Sequence, residues 1–448
     1  MPTIERIKLE IDRFTTTKEH LQHLKDYFDG KHDILNRVVD GNKPNNKLVH
    51  NFAKYIVDEH AGYFMGKPVV YTGSKALLKK AQDLFNTNDE QEENSELAKQ
   101  MGIFGRGCEI LYLDDDVNIR FNKVSPVDMI IMYDQSIDPK IIGAIRLYTL
   151  ESDDGKLKTD YAEVYDEEFV TTYNRTDFSI FKDSKPHMFG DVPVVDYPNN
   201  SDYCGDFTGE ISLIDAYNLS RSNKTNDLDY FTDAYLKLMG MMGTEKEDID
   251  KMRENRIMLL ENSGDAGFLI KPSNVDDAKV QIKTLCDDIH KFSKTLDVSN
   301  EKFVGYASAL AMGYKILDME QIAVNKERKF KKGLQRRLKL ICNHLNIKAN
   351  NYIYTGIRMQ FDRNLPVDVT AKIANALQLY GIISKETFLS LLPSGVVDDI
   401  QEELARIEAE KSPYSDTSFL EADPTAVVTP QPEVLPNDGQ ANTNQEGL

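Results

Sequence analysis

Apolar residues recur at three- and four-residue steps from Ile4 through Ile7, Ile11, Phe14, Leu21 and Leu24 to Phe28, which predicts an amphipathic helix over 4–28. Asp29-Gly30 supplies its stop, and the polar run from Asp40 to Asn46 reads as a loop. A second helix is predicted over about 46–65, with Leu48, Phe52, Ile56 and Val57 on one side and Gly66-Lys67-Pro68 at its end. Val69–Tyr71 follows as a short strand. Residues 74–104 return to helical spacing, interrupted by the polar stretch Asn86 to Asn94.

From 108 to about 198 the period changes. Short β-branched and aromatic runs alternate with turns: Glu109–Leu113, Ile119–Lys123, Met129–Tyr133, Ala144–Leu150, Tyr161–Tyr165, Phe169–Tyr173 and Phe178–Phe181. Asp114-Asp115-Asp116 and Asp153-Asp154-Gly155 fit hairpin turns, so an antiparallel region is expected between helical ones. A long helix is predicted over 210–241, then a small insert with strand-like Arg256–Leu260 and Phe268–Lys271. A helix at 276–293 follows, capped by Ser273 and Asn274. After a polar loop at 294–305 comes the longest periodic segment, 306–346, with Leu310, Tyr314, Leu317, Val324, Leu334, Leu338, Ile341 and Leu345 in phase. At 1.5 Å per residue it would span roughly 60 Å, a spine more than a globular helix. A strand at 351–361 and helices at 367–380, 384–391 and 396–411 complete the folded part.

Composition adds three constraints. The chain has 448 residues, 41% hydrophobic and 28% charged, with no tryptophan, which fits several domain-sized cores. No run of eighteen apolar residues occurs, and the N-terminus lacks a basic segment followed by an apolar one, so neither a transmembrane helix nor a signal peptide is expected. A formal net charge of −19 opposes tight non-specific binding to nucleic acid, although it leaves room for a polyanion that slides past. Residues 412–448 hold five prolines, six acidic residues and no lysine or arginine, the composition of a disordered acidic tail.

The search for catalytic chemistry returns nothing local. Gly62 to Lys67 is one residue short for a phosphate-binding loop, and Pro68 stands where a Ser or Thr would be needed. Gly102 to Gly107 precedes a strand and reads as a helix stop. Asp114, Asp116 and Asn118 begin like a calcium loop, but Ile119 and Ser125 replace its glycine and its bidentate glutamate. His20 and His23 lie one turn apart with no third ligand in view. Cys108, Cys204, Cys286 and Cys342 are far apart and read as reduced thiols. No enzyme, metal or cofactor is expected.

Three stretches resemble the portal proteins of long-tailed bacteriophages, in the branch found in phages of Gram-positive bacteria. They are Pro44 to Val69 with its Gly-Lys-Pro turn, Ile289–Ser293 with Leu296-Asp297 and Phe303, and Gly305-Tyr306-Ala307-Ser308 opening the long helix. In the last, Tyr306 and Ala309 stand where the family usually has small residues. Each motif uses common residue types, but their order and spacing span roughly residues 25–410.

The resemblance implies an α+β portal fold with a mixed α/β wing, a two-helix stem, a small α/β clip, a long spine helix and a helical crown. On this chain 1–44 would be the N-terminal helix and arm, 45–209 the wing, 210–242 the first stem helix and 243–275 the clip. The second stem helix would be 276–293, the tunnel loop 294–305, the wing spine helix and strand 306–365, the crown 366–411 and the acidic tail 412–448. It further implies a homo-oligomeric, twelve-fold ring at one capsid vertex of the virion, assembled in the host cytoplasm. That ring would pass double-stranded DNA non-specifically. It would dock the terminase large subunit and a head-completion adaptor, and meet the major capsid and scaffold proteins. Lys294, Asn300 and Lys302 would be the tunnel-loop candidates for DNA contact, with solvent-facing loop residues as the plain alternative. Met239, Met241 and Met242, beside Gly240 and Gly243, are candidates for subunit packing, because methionine adapts to irregular contacts.

The basic run Lys326–Lys339 allows a DNA-binding helix. Its charges fall on several faces around Phe330 and Leu334, which favours a solvated face or ion pairs to an acidic neighbouring subunit. Two other readings stay open: a cytoplasmic DNA-processing enzyme such as a nuclease with dispersed carboxylates, and a minor head protein that forms no channel.

Overall fold

The Thr3 hydroxyl accepts the backbone N–H of Arg6 and opens helix α1 (Ile4–Phe28), which ends where Gly30 turns the chain at φ +82°. This element belongs to a computed structural model that describes residues 2–39, 43–152, 155, 157–231, 235–239, 247, 265–269, 275–297, 313–314, 316–364, 369–392, 396–397 and 400–410. Its contacts divide the chain into two units, Met1–Leu365 and Pro366–Leu448. The tail 412–448 lies outside the described residues.

Helix α2 (Phe52–Met65) starts at Asn51, whose side chain accepts the N–H of Lys54, and stops at Gly66 before Pro68. The helix therefore starts about one and a half turns later than the expected position 46. Residues 43–51 are instead held by side chains of a later helix, with Asn226, Ser222 and Asn218 accepting the N–H groups of Asn46, Leu48 and His50. Strand β1 (Val70–Gly73) leads into helices α3 (Lys75–Thr87) and α4 (Glu90–Phe104), with the expected break between them.

The β region holds all seven expected strands and one more. They are β2 (Arg106–Leu113), β3 (Ile119–Val124), β4 (Met129–Tyr133), β5 (Ile141–Glu151), β6 (Lys158–Tyr165), β7 (Phe169–Asn174), β8 (Ile180–Pro186) and the additional β9 (Val194–Pro198). Phe178 is not in a strand; it sits at φ +56° in the turn before β8. Two antiparallel sheets result, one in the order β3-β2-β9 and one in the order β4-β5-β6-β7-β8. Asp114 closes the β2–β3 hairpin by accepting the N–H groups of Asp116 and Asn118 at 3.1 and 2.8 Å, so these residues form a turn.

Helix α5 (Ile211–Phe231) is shorter than expected. Residues 235–239 are not helical but form strand β10 (Tyr235–Met239), antiparallel to β11 (Asp265–Leu269). Tyr-Leu-Lys-Leu-Met has the alternation of a strand, and its cross-strand partner fixes the choice. The expected strand at 256–260 and the caps Ser273 and Asn274 lie outside the described residues. Helix α6 (Val275–Ser293) and helix α7 (Leu317–Asn346) follow, and β12 (Ile357–Gln360) pairs antiparallel with β1. Helix α7 has 30 residues, about 45 Å, and begins at Leu317 rather than at the expected 306. Residues 298–312, with the motif at 305–308, are outside the described residues.

Four apolar clusters hold the first unit. Ile7 and Ile11 of α1 cover the five-stranded sheet at Ile130, Ile145, Leu147 and Val164. The C-terminal half of α1 joins α2, α5 and α6 through Leu24, Tyr27, Ile56, Ile214, Ile282 and Ile289. Helix α7 lays Phe330, Leu334, Leu338 and Ile341 against Leu97, Leu111, Val195 and Tyr197. A smaller cluster around Ile110, Met129 and Val194 joins the two sheets. Burying each such side chain contributes about 1.5–3 kcal/mol. The second unit contains α8 (Val369–Leu377), α9 (Lys385–Leu391) and α10 (Ile400–Glu410), and Ser384 caps α9 by accepting the N–H of Thr387.

Candidate functional site

Helix α6 ends in a left-handed turn at Lys294, whose φ is +56°. The N–H of Thr295 reaches back to the carbonyl of His290 at 3.1 Å, the long-range bond of a Schellman stop. Glycine usually fills this position, because a Cβ there costs roughly 1–2 kcal/mol. The lysine side chain is exposed. Beyond it the chain returns at once to the protein interior. Tyr55 of α2 donates its hydroxyl to the carbonyl of Leu296 at 2.9 Å, and buried Thr295 stands 3.3 Å from His60 Nε2.

Behind that turn lies a buried ion pair. Lys326 of α7 donates to Asp206 Oδ2 at 2.5 Å, and both side chains are about 3% exposed. His60 Nδ1 lies 3.5 Å from the same oxygen, and Asn199 donates to the other carboxylate oxygen at 2.9 Å. Burial would raise the Asp206 carboxyl, but the Lys326 charge and His60 outweigh it and hold the group well below the usual carboxylate range. The C-terminal end of α6, helix α2, the 199–206 loop and α7 are thus tied at one point.

Three turns further along α7 is a second buried centre. Arg337 is fully buried. Its guanidinium donates to both oxygens of Glu109 at 2.9 and 2.7 Å, to Glu90 at 3.1 Å and to the Asn94 carbonyl oxygen at 3.0 Å. Tyr197 donates its hydroxyl to Glu109 at 2.9 Å, and Tyr71 donates to Glu90. The guanidinium also covers the Phe121 ring at 4.6 Å. Burial pushes both tyrosine hydroxyls well above their ordinary value, so they act here as donors. On the flank of the same helix, Arg336 and Lys339 share Asp191, and Arg336 also donates to the carbonyls of Val192 and Val194.

These contacts correct the expectation for the basic run. Lys326, Arg336, Arg337 and Lys339 neither form a solvated face nor await a neighbouring subunit; their partners lie in the same chain. Of the cations in the run, only Arg328 and Lys332 are exposed, and Lys332 approaches Asp138 at 4.0 Å with both side chains open to solvent. A signal was legible beforehand: Lys326, Phe330, Leu334, Arg337 and Ile341 share one helical face. Cations on an apolar face require buried carboxylates.

The other candidates divide. Asn300, Lys302, Met241 and Met242 lie outside the described residues, and Met239 is known only as the last residue of β10. His23 packs against Tyr27 at 4.7 Å, while His20 is exposed. Cys108 and Cys342 are buried, and all four cysteines are free thiols.

The profile of the family described as "Phage portal protein, SPP1 Gp6-like" matches residues 7–416, more than nine-tenths of the chain, from the second turn of α1 through α10. The chain belongs to this portal protein family. Among its relatives, the portal protein of Bacillus phage SPP1 is 26% identical over 92% of this chain and 85% of its own length. The portal protein of Clostridium phage phiCD119 is 23% identical over 93% of this chain and 100% of its own. A solved structure, the neck of an empty GTA particle, covers 83% of this portal protein and 93% of its own chain at 13% identity and a TM-score of 0.44, too distant to carry residue roles across.

Proposed function

We propose that this portal protein is a non-enzymatic ring subunit at one vertex of a phage capsid, the channel through which viral DNA is packaged and ejected. The observation that carries the reading is the family match over residues 7–416, which takes in both β-sheets and helices α5, α6 and α7 together. The ring would be twelve-fold and part of the virion. Its clip, residues 243–275, would dock the terminase large subunit during packaging and a head-completion adaptor afterwards. The crown would face the capsid interior, with the scaffold and major capsid proteins as further contacts.

The charge supports a conduit. A wall built from subunits of net charge −19 repels a polyanion over most of its surface. A few cations can touch the phosphates without a grip that would stop movement. Lys294 suits that role, because an exposed lysine occupies a backbone position that favours glycine. Asn300 and Lys302 would share it.

Native mass spectrometry and negative-stain imaging of the full chain test the first reading. A closed ring of about a dozen copies with a central hole is expected. A chain that stays monomeric and degrades DNA with a divalent metal would instead be the nuclease. Lys294→Glu with Lys302→Glu tests the loop: packaging rate and DNA retention should both change, and unchanged values remove these residues from the DNA path.

A further inference from the structure

Helix α3 differs from its neighbours in charge. At α1, α2 and α4 a solvent-accessible lysine has a carboxylate one turn away, in Lys25–Asp29, Lys54–Asp58 and Glu96–Lys99. Residues 60–82, which lead through β1 into α3, hold four lysines and no carboxylate, on a chain with 54 basic and 73 acidic residues. Lys75, Lys79 and Lys80 of α3 are exposed, and so is Arg358 of β12. Among the described residues none of these four cations makes an ion pair. Asp83, the only carboxylate of α3, lies one turn from Lys79 and makes none either.

The fold gathers these groups. Register sets Arg358 opposite Thr72 of β1, and the Ser74 N–H reaches the Gly356 carbonyl at 3.4 Å, so β12 runs beside the start of α3. Thr72 and Ser74 add two exposed hydroxyls at that end. Lys75, Lys79, Gln82 and Asn86 are all exposed and follow one another at four-, three- and four-residue steps. That spacing lines up donors along one side of the helix, with a rise of about 4.5–6 Å from each to the next.

We infer that α3, with the β1–β12 ribbon, binds the phosphate backbone of double-stranded DNA without reading its sequence. A protein partner would call for an apolar centre, because interfaces between proteins bury one. Across residues 67–87 and 357–360, Val70 is the only large apolar side chain that is exposed. Phosphate contacts need no such centre; lysine, arginine, amide and hydroxyl donors make them. Four cations give a modest grip, in keeping with DNA that has to move. The inference rests on the reading above that DNA passes this protein, and it adds a second surface to the Lys294 turn.

Anisotropy of a labelled random-sequence duplex, titrated with the full chain between about 50 and 200 mM salt, tests it. Each neutralised phosphate contributes about −0.9 to the slope of log K against log salt. Lys75→Gln with Lys79→Gln should therefore make the slope less steep by about 2 and weaken binding about ten-fold at the lower salt. Lys80→Gln with Arg358→Gln should do the same from the other two positions. Lys182→Gln with Lys185→Gln removes equal charge from the exposed strand β8 and should change neither value. All six side chains are exposed, so circular dichroism should match the wild type, and native mass spectrometry fixes the oligomeric state for each comparison. Patch variants that bind like the β8 control overturn the inference. A wild-type chain that does not bind the duplex, or that binds polyglutamate more tightly, overturns it as well. None of these results touches the channel reading, which fails if rings do not form or do not package DNA.

Discussion

Arg337→Met removes one charge from the core between α7, α4 and β2 while keeping most of the side-chain volume. Arginine 337 is fully buried, and Glu90 and Glu109 are 2% and 0% exposed. Without the guanidinium, two carboxylates remain in the interior with only hydroxyl and amide donors. Breaking a buried pair from one side costs about 3–5 kcal/mol, mostly the penalty of the charge left behind. Two orphaned carboxylates put the expected loss at the upper end, about 4–5 kcal/mol. The chain lacks tryptophan, so hydrogen exchange of the 106–113 segment, which carries Glu109, is the direct assay, with urea unfolding followed at 222 nm beside it. Adding Glu90→Gln and Glu109→Gln to Arg337→Met removes both charges and leaves groups that Tyr71 and Tyr197 can still bond. More than half of the lost stability should return. A loss below about 1 kcal/mol for Arg337→Met, or a triple variant no better than the single one, would refute the claim that an uncompensated charge is what the fold avoids.

Three further outcomes follow from the same geometry. Burial holds His32 and His187 below the ordinary imidazole value, and each accepts a donor at Nδ1, from Asn218 and from the Phe189 N–H, so both are neutral in the folded chain. Their unfolded forms take up protons first, so their stabilisation is complete above about pH 6.5 and is lost as pH falls below it; His32→Gln or His187→Gln should shrink the drop in melting temperature between pH 7.5 and 5.5. Gly333→Ala would place a Cβ 2.3 Å from the Tyr197 ring. Helix propensity would gain about 1 kcal/mol, but the overpacking costs about 1–3, so the urea midpoint should fall, against the usual direction for an exposed helix. Lys294→Gly should raise stability by about 1 kcal/mol in the same urea assay by relieving the left-handed backbone, and should lower packaging or retention if the lysine touches DNA. A stability gain with unchanged packaging would leave only a structural turn there.

Local pattern carried far along this chain. The apolar spacing of Ile4 to Phe28, closed by Asp29-Gly30, defines α1 to the residue, and the alternating runs between 109 and 173 give six strands in their observed places. Both signals depend only on neighbours a few positions away, which is why they survive reading without a fold. Where the pattern was ambiguous, pairing decided. Tyr235–Met239 could continue a helix until Asp265–Leu269 lies beside it, and Val194–Pro198, bounded by two prolines, becomes a strand because β2 offers an edge.

The sequence alone places two cations, Lys326 and Arg337, on the apolar face of α7. Only the tertiary structure decided which carboxylates neutralise them, since Glu109 and Glu90 lie 228 and 247 positions from Arg337 and Asp206 lies 120 from Lys326. Helical phase is a property of the backbone within one turn, whereas the partner of a buried charge is whichever group the packed core brings within about 3 Å of it.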